Sequence, residues 1–376
     1  MEWTAIPIER SNVTGLVASL RNSIDFSSAP FIKEHRSDVS KACNPKASIP
    51  GPEDHDFNLC EANDLYRVLL QPFEDKLKGV NHLIVVPDGA LEQLPFSLLT
   101  RTAGTGGEPH WLIEDMAITM LPTTSSLRLL RSIPPRDTAG QKPYLGIAPV
   151  DFQRQSKQAP LRGTLAPLPG TLAEVRRLSE ITGAGTDGYV TGKKASEAFV
   201  KSGALEHYRV LSFATHGLLS ADTQALTNGV LTEPALALAP ANDNEDGFLT
   251  ATEAASLKLN ADWVLLSACN TAAGDGEGAE GLSGLARAFF FAGARSLLVS
   301  HWEIDDNAAV DLMAETIRRT SDGSAKDKAE ALREAMLTVM KKPGYRHPYF
   351  WAPFSLVGDN RISGRTPPPD AGKGGS

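Results

Sequence analysis

The sequence has few cysteines and no long apolar segment. Only Cys43, Cys60 and Cys269 occur among its 376 residues, too few for the disulfide framework of a small secreted domain. No apolar run approaches the roughly 18 residues that span a bilayer. The N-terminus also lacks a basic stretch followed by an apolar one, as a secretory signal would have. These absences predict a cytoplasmic protein in a reducing compartment, with no membrane partner.

Positive charge is scarcer than negative charge. Against 45 acidic residues stand 37 Lys and Arg, and the formal net charge of −8 gives no electrostatic basis for a nucleic-acid partner. The histidines and cysteines show no zinc-ligand spacing. The residues at 191–194, TGKK, lack the upstream glycine and the Ser or Thr of a phosphate-binding loop. We therefore expect neither a metal nor a cofactor.

The most informative stretch covers residues 263–306. An apolar run at 263–266 has the length and composition of a buried strand and ends at Cys269. A glycine-rich loop, a helix at 282–292 and a second apolar strand at 296–300 follow. Such a strand–loop–helix–strand unit predicts two parallel strands.

A second strand of the same kind lies upstream, at 209–214, and is followed by His216. Ligands bind beyond the carboxyl ends of the strands in open α/β sheets, and neighbouring strands lie about 4.8 Å apart. If the two strands are neighbours, the His216 imidazole and the Cys269 thiol share one crevice. A thiol beside a base is the arrangement for covalent catalysis, with Cys269 as nucleophile and His216 as general base and acid.

Several motifs in the same order resemble the CHAT domain family. They are IVVPDGALEQLPFSLL at 84–99, ATHG at 214–217, LLSAC at 265–269, HWEIDD at 301–306 and HPYFWAPFSLVGD at 347–359. The family comprises bacterial caspase-like cysteine peptidases that are related to separase and are often joined to tetratricopeptide repeats. Two departures border the expected site: Asn270 stands where many members carry Glu, and His301 where Leu usually precedes the tryptophan.

The resemblance implies a caspase-like α/β fold, a mostly parallel sheet with helices on both faces. It also implies an inactive pseudo-protease half at 59–138 and an active half at 140–360. Apolar spacing and composition predict an N-terminal helix and loop segment at 1–58 and a disordered tail at 361–376. The activity implied is that of a thiol endopeptidase on protein substrates.

The resemblance further assigns residues around the dyad. The backbone N–H groups of Gly217 and Cys269 would hold the oxyanion. Asp305 and Asp306 would receive a basic P1 side chain, with Glu280 and Glu277 as weaker candidates for the same role. Trp302 would wall the pocket or belong to the core. For Asp305 and Asp306 the alternative is a helix cap, since Asp is a favoured capping residue.

Local patterns give further expectations. Thr171 and Glu174 have the spacing of a capping box for a helix that ends near residue 182. Residues 350–357 predict the last strand, and Pro72 should kink or split the helix at 59–79. His301, one residue beyond a strand parallel to the Cys269 strand, is a rival base.

Two other functions remain open. Gly276, Gly278 and Gly281 match a dinucleotide-binding pattern, although the strand ends too far upstream for a tight turn. A catalytically silent scaffold that signals by binding is the second alternative. No repeat of about 34 residues is present, so a tetratricopeptide repeat module or other sensor that activates the enzyme would be a separate partner or another part of a longer chain.

Overall fold

The computed structural model of the protein describes residues 8–24, 47–52, 55–102, 108–132, 138, 140–150, 152, 165–239, 245–267 and 284–363. Strands and helices alternate along this part of the chain. The strands are β1 (Ser48–Ile49), β2 (Phe57–Asn58), β3 (His82–Val85), β4 (Ala117–Met120), β5 (Lys142–Ala148), β6 (Tyr189–Thr191), β7 (Tyr208–Ala214), β8 (Gly217–Leu218), β9 (Ala235–Ala237), β10 (Phe248–Thr250), β11 (Trp263–Ser267), β12 (Ser296–Ser300) and β13 (Phe354–Gly358). The helices are α1 (Arg10–Asn22), α2 (Leu59–Leu69), α3 (Glu74–Leu77), α4 (Leu112–Asp115), α5 (Thr124–Ser132), α6 (Pro169–Ile181), α7 (Glu197–Lys201), α8 (Ser220–Leu226), α9 (Ala251–Ala255), α10 (Gly284–Ala292), α11 (Asp306–Asp322), α12 (Lys328–Met340) and α13 (Pro348–Trp351).

Eight strands form the central sheet in the order β3-β4-β13-β12-β11-β7-β5-β6. All neighbouring pairs are parallel except β12 and β13, which are antiparallel. Strands β12, β11, β7, β5 and β6 therefore share one direction, and β3, β4 and β13 run the other way. The mostly parallel α/β sheet predicted from the sequence is confirmed.

Helices cover both faces of the sheet. Alternate residues of one strand point to opposite faces, and in β11 Leu265 belongs to one buried cluster while Val264 and Leu266 belong to another. The first cluster includes α1, α2, α11 and α12, and the second includes α9 and α10. This burial on both sides explains why the β11 and β12 segments are continuous apolar runs in the sequence.

The N-terminal helix α1 packs into the same core. Its residues Leu16, Val17 and Leu20 are at most 2% exposed. Arg21 donates hydrogen bonds to the backbone oxygens of Gln93, at 2.9 Å, and His301, at 3.2 Å. The helix is thereby attached to the segment that follows β12.

Of two expectations about local structure, one is confirmed and the other is wrong in part. A short 3-10 helix at Gln71–Phe73 separates α2 from α3, so the predicted break at Pro72 is confirmed. The predicted strand at 350–357 is wrong in its first part: Pro348 begins a short helix, capped by the His347 side chain, and the strand starts only at Phe354.

The two strands β3 and β4, which lie within the predicted inactive half, form one end of the sheet. They join the remaining strands through the pairing of Met120 with Val357.

Cys60 in α2 is buried and disulfide-bonded, whereas the scarcity of cysteine suggested a reducing compartment. Across the residues described, no helix combines the length and apolar character needed to cross a membrane.

Candidate active site

The strands that lead to His216 and Cys269 are neighbours in the sheet. β7 and β11 pair in parallel, with Ser267 beside Ala214, so the register offset is 267 − 214 = 53 residues. His216 and Cys269 are separated by the same number, 269 − 216 = 53. Cys269 itself lies outside the described residues, as does the rest of 268–283.

His216 follows β7 and is held by two contacts from a segment before α6. Its Nε2 lies 2.7 Å from the backbone oxygen of Ala166. Its ring packs against Phe152, with 4.7 Å between the ring centroids and an interplanar angle of 60°. Because a carbonyl oxygen can only accept, Nε2 carries the proton in the neutral ring, and Nδ1 retains a lone pair that can accept another.

Gly217 begins β8, directly after His216. β8 pairs antiparallel with β9, and Gly217 lies opposite Leu236. The His216 carbonyl accepts a hydrogen bond from the Ala237 N–H at 3.0 Å. The small three-stranded sheet β10-β9-β8 thus fixes the backbone on the carboxyl side of the histidine.

A cavity of about 60 Å³ opens beside these strand ends. Thr215, next to His216, and Ser267, two residues before Cys269, both line it. Its other lining residues come from the residue before α6, α6 itself, the end of β12, the segment after β12, α11 and β13: Leu168, Gly170, Thr171, Glu174, Ser300, Trp302, Glu303, Ile304, Asp306, Ala309 and Phe354.

Glu174 is the most deeply placed charged group of this cavity, at 3% exposure. Ser267 Oγ donates to Glu174 Oε2 at 2.8 Å, and Ser212 Oγ lies 3.5 Å from Oε1. Burial raises the pKa of Glu174 to about 7, against the lowering effect of the two serine hydroxyls; the nearby charge of Asp306 raises it further. The carboxyl group is therefore close to half ionised at neutral pH.

Asp305 and Asp306 occupy different environments. Asp305 caps α11, because its carboxylate accepts hydrogen bonds from the N–H groups of Asn307 and Ala308, each at 3.0 Å. Asp306 faces the cavity, and burial and then the charge of Asp305 raise its pKa. A Cβ atom on Gly170 would lie 2.8 Å from the Asp306 Cβ and closer still to its carboxylate, so glycine at this position allows α6 and α11 to approach.

The remaining residues proposed from the sequence lie in the cavity wall, outside the described residues, or in the core. Trp302 lines the cavity and is also core, at 1% exposure with its indole N–H donating to the Tyr349 backbone oxygen at 3.2 Å. Glu280 and Glu277 lie outside the described residues. His301, the rival base, is fully buried, and its Nε2 lies 2.9 Å from Ser355 Oγ. Burial lowers the pKa of His301 to about 3.

Glu174 is the site residue that sequence reasoning missed. The predicted capping box is wrong, because α6 begins at Pro169 and Thr171 Oγ1 donates to the Leu168 backbone oxygen at 2.6 Å instead of capping. A signal was available: Thr171, Glu174, Val175 and Leu178 form the buried stripe of this helix. A glutamate within an apolar stripe at helical spacing indicates a buried carboxyl group.

Within the described part of the chain, no cluster of three or more His, Cys, Asp or Glu side chains could hold a metal ion. The cavity offers carboxyl and hydroxyl oxygens from Glu174, Asp306, Ser267 and Thr215. Such a set can bind a cationic or hydrogen-bonding group of a ligand.

Two solved structures are similar to this chain at low sequence identity. A crystal structure of the Saccharomyces cerevisiae separase–securin complex matches with a TM-score of 0.44 and 14% identity, over 74% of this chain and 15% of that one. The complex of the Porphyromonas gingivalis RgpB pro- and mature domains matches with a TM-score of 0.45 and 8% identity, over 79% of this chain and 68% of that one.

Among curated proteins, Tetratricopeptide repeat protein 28 of Mus musculus is 27% identical over 340 residues, and that of Homo sapiens is 26% identical over the same length. Each match covers 79% of this chain but only 13% of the relative's length. The family model of the CHAT domain matches residues 60–359, from the start of α2 to the residue after β13. Since this match takes in most of the chain, including both strands that lead to His216 and Cys269, the protein belongs to the CHAT domain family.

Proposed function

We propose that this chain is a cysteine endopeptidase whose catalytic dyad is Cys269 and His216. The observation that carries the proposal is the parallel pairing of β7 with β11 in a register of 53 residues, equal to the separation of the two residues. Parallel neighbours end at the same edge of a sheet, so both residues follow strand ends at that edge. The cavity lined by Thr215 and Ser267 adjoins the same place.

The reaction proceeds through an acyl-enzyme. His216 takes the proton of the Cys269 thiol, and the resulting thiolate attacks the carbonyl carbon of the scissile peptide bond and forms a C–S bond. Backbone N–H groups of Gly217 and Cys269 donate to the resulting oxyanion. The C–N bond then breaks as His216 gives a proton to the leaving amine. Water, deprotonated by His216, hydrolyses the thioester and releases the thiol.

The substrate side chain that precedes the scissile bond enters the cavity beside the strand ends. Asp306 provides negative charge there, so a basic P1 residue is favoured. Asp305 supports this arrangement by capping α11 and fixing the helix that carries Asp306. Trp302 closes one wall of the cavity.

Activation depends on a partner. The chain spans 13% of the curated tetratricopeptide repeat proteins that it matches, so in those proteins a domain of this kind accompanies repeats. A repeat-containing sensor module is therefore the proposed partner, acting on the segments around the site. The isolated chain is expected to cleave peptides slowly, and rapid turnover by the purified chain alone would contradict this.

The dyad is tested by labelling with a broad cysteine-protease probe, followed by mass spectrometry of the labelled peptides. Wild type should label at Cys269, and Cys269→Ala should not. His216→Ala should slow the labelling of Cys269 on the order of a hundredfold or more, since acid–base groups contribute about 10²–10⁴-fold.

His207→Ala is the matched control, because His207 is an exposed histidine that precedes the opposite end of β7. It should label like wild type. Equal labelling of the His216 and His207 variants would exclude His216 as the base. Absence of Cys269 labelling in wild type, with or without added repeat protein, would favour the silent scaffold.

A further inference from the structure

The cavity beside the strand ends has a carboxyl group at its floor and another at its mouth. Glu174 is buried at 3% exposure, whereas Asp306 is exposed. Of the described residues that line this cavity, none is Lys or Arg. Acidic groups therefore lie at both depths of the cavity, with no basic side chain among its described lining residues.

Glu174 has hydroxyl groups but no cation as partners. Its hydrogen-bond donors are Ser267 and, more distantly, Ser212, and within the described chain no Lys, Arg or His pairs with it. Burying a carboxylate without a counter-charge is unfavourable, and burying an apolar side chain at this point of the α6 stripe would be more stable. A positively charged group that enters from the cavity would supply the missing partner.

Glu174 also contacts both strands of the proposed dyad. Ser212 belongs to β7, which leads to His216, and Ser267 belongs to β11, two residues before Cys269. A group bound at the Glu174 carboxyl is thus held at the sheet edge where the scissile bond would lie.

We infer that Glu174 is a specificity-determining residue whose carboxyl group pairs with the cationic end of the substrate side chain occupying this cavity. The inference rests on the proposed function for the place of that side chain in a peptide substrate. Asp306 at the mouth attracts the same cation, and Glu174 at the floor forms the charge-assisted hydrogen bond that fixes it.

Binding of a cation is linked to ionisation of Glu174. The groups that face it are Asp306 from α11, Tyr144 from β5, Ser212 and Ser267, with Glu303 on the same cavity. Since burial raises the pKa of Glu174 to about 7, the protonated form of the carboxyl group dominates at pH 6. A bound cation stabilises the carboxylate, so that proton is released and affinity rises between pH 6 and pH 8.

The experiment measures binding rather than cleavage, in the full chain with Cys269→Ala. Two acetylated tripeptide amides are compared by calorimetry, one ending in arginine and one in citrulline, which has the same shape without the charge. The parent should prefer arginine, and Glu174→Gln should reduce that preference roughly tenfold to a hundredfold, as expected for hydrogen bonds to a charged group. Glutamine keeps an oxygen that can accept from Ser267.

Glu180→Gln is the matched control, because Glu180 is exposed on the same helix and pairs only with Arg177, at 3.5 Å, among the contacts described. It should leave the arginine preference unchanged. A preference that is equal in the Glu174 and Glu180 variants overturns the inference, and so does failure of the parent to bind either peptide.

A second readout needs no variant. Calorimetry of the arginine peptide at pH 6, in two buffers with different heats of ionisation, should show proton release, and the citrulline peptide should show less. No difference between the peptides overturns the inference even where Glu174→Gln fails to fold. The arginine preference can depend on Glu174 even where Cys269 does not label in the wild type. In that case the proposed reaction fails, and the pairing of Glu174 with a cationic side chain stands.

Discussion

At the scale of single residues, the buried carboxyl group of Glu174 has a consequence for stability. Its pKa is about 7 in the folded protein and 4.5 in an unstructured chain, and burial is the main cause of the rise. The folded protein therefore holds this proton more tightly than the unfolded chain between those two pH values. This tighter proton binding stabilises the folded state. The stabilisation is fully present below pH 4.5 and is lost as pH rises through 7.

We expect Glu174→Gln to stabilise the protein at pH 8 relative to wild type, but not at pH 4.5. The difference between the two pH values should approach about 3 kcal/mol, from 7 − 4.5 = 2.5 pKa units at 1.36 kcal/mol each. Urea unfolding of both proteins at the two pH values measures it. If the stability difference between Glu174→Gln and wild type is the same at pH 4.5 and pH 8, Glu174 ionises normally in the folded state.

The two histidines considered as bases lie in different environments. His216 lies at a strand end, and the one described hydrogen bond of its ring is that of Nε2, whereas His301 is fully buried and its ring is hydrogen-bonded to Ser355. Burial lowers the pKa of His301 to about 3, so its ring stays neutral at physiological pH, and the same burial keeps the ring from contact with a substrate. His301, which stands where the family usually has leucine, is therefore a residue of the core.

At the scale of elements, α1 lies outside the residues matched by the family model but shares the core of the fold. Leu16, Val17 and Leu20 pack against it, and Arg21 joins the helix to the backbone of Gln93 and His301. His301 is next to Trp302, which lines the cavity. The helix therefore supports the segment that forms one wall of the site.

Leu20→Ala should lower the free energy of unfolding by about 2–5 kcal/mol, the usual cost of truncating a buried leucine to alanine. Thr14→Ala, on the exposed side of the same helix, should cost less than about 1 kcal/mol. Denaturant midpoints of the two variants provide the comparison. If both variants unfold like wild type, α1 is an appendage and contributes nothing to the core.

At the scale of the whole molecule, a buried charge network holds the sheet edge opposite the candidate site. Lys328 Nζ donates to the Asp262 backbone oxygen at 3.0 Å and to Ser296 Oγ at 2.9 Å, and lies 3.2 Å from Asp262 Oδ1. These residues join α12 to the starts of β11 and β12. Burial lowers the pKa of Lys328, although the charges of Asp262 and Asp359 oppose that effect.

Lys328→Met should destabilise the fold by about 3–5 kcal/mol, because it leaves the buried Asp262 without its cation. Lys326→Met, an exposed position just before α12, should be nearly neutral. Thermal unfolding should remain a single transition in both. Since the network is remote from the cavity, a changed preference between arginine and citrulline peptides in Lys328→Met would contradict this separation of stability from specificity.

The sequence by itself determined the mostly parallel sheet and the strands at its centre. The β7, β11 and β12 segments are largely apolar because both faces of each are buried, and this pattern is readable locally. The motifs around His216 and Cys269 likewise indicated the family to which the chain belongs. Short-range chemistry also determined the break at Pro72, since proline lacks the N–H that a helix requires.

Only the tertiary structure decided which polar residues meet. Glu174 has the spacing of a capping residue, and its place beside Ser267, 93 residues along the chain, depends on how α6 packs on the sheet. Asp305 and Asp306 are chemically identical neighbours, yet one caps α11 and the other faces the cavity, because the start of a helix turns consecutive side chains in different directions. Such long-range contacts leave no periodic signal in the sequence, whereas burial does.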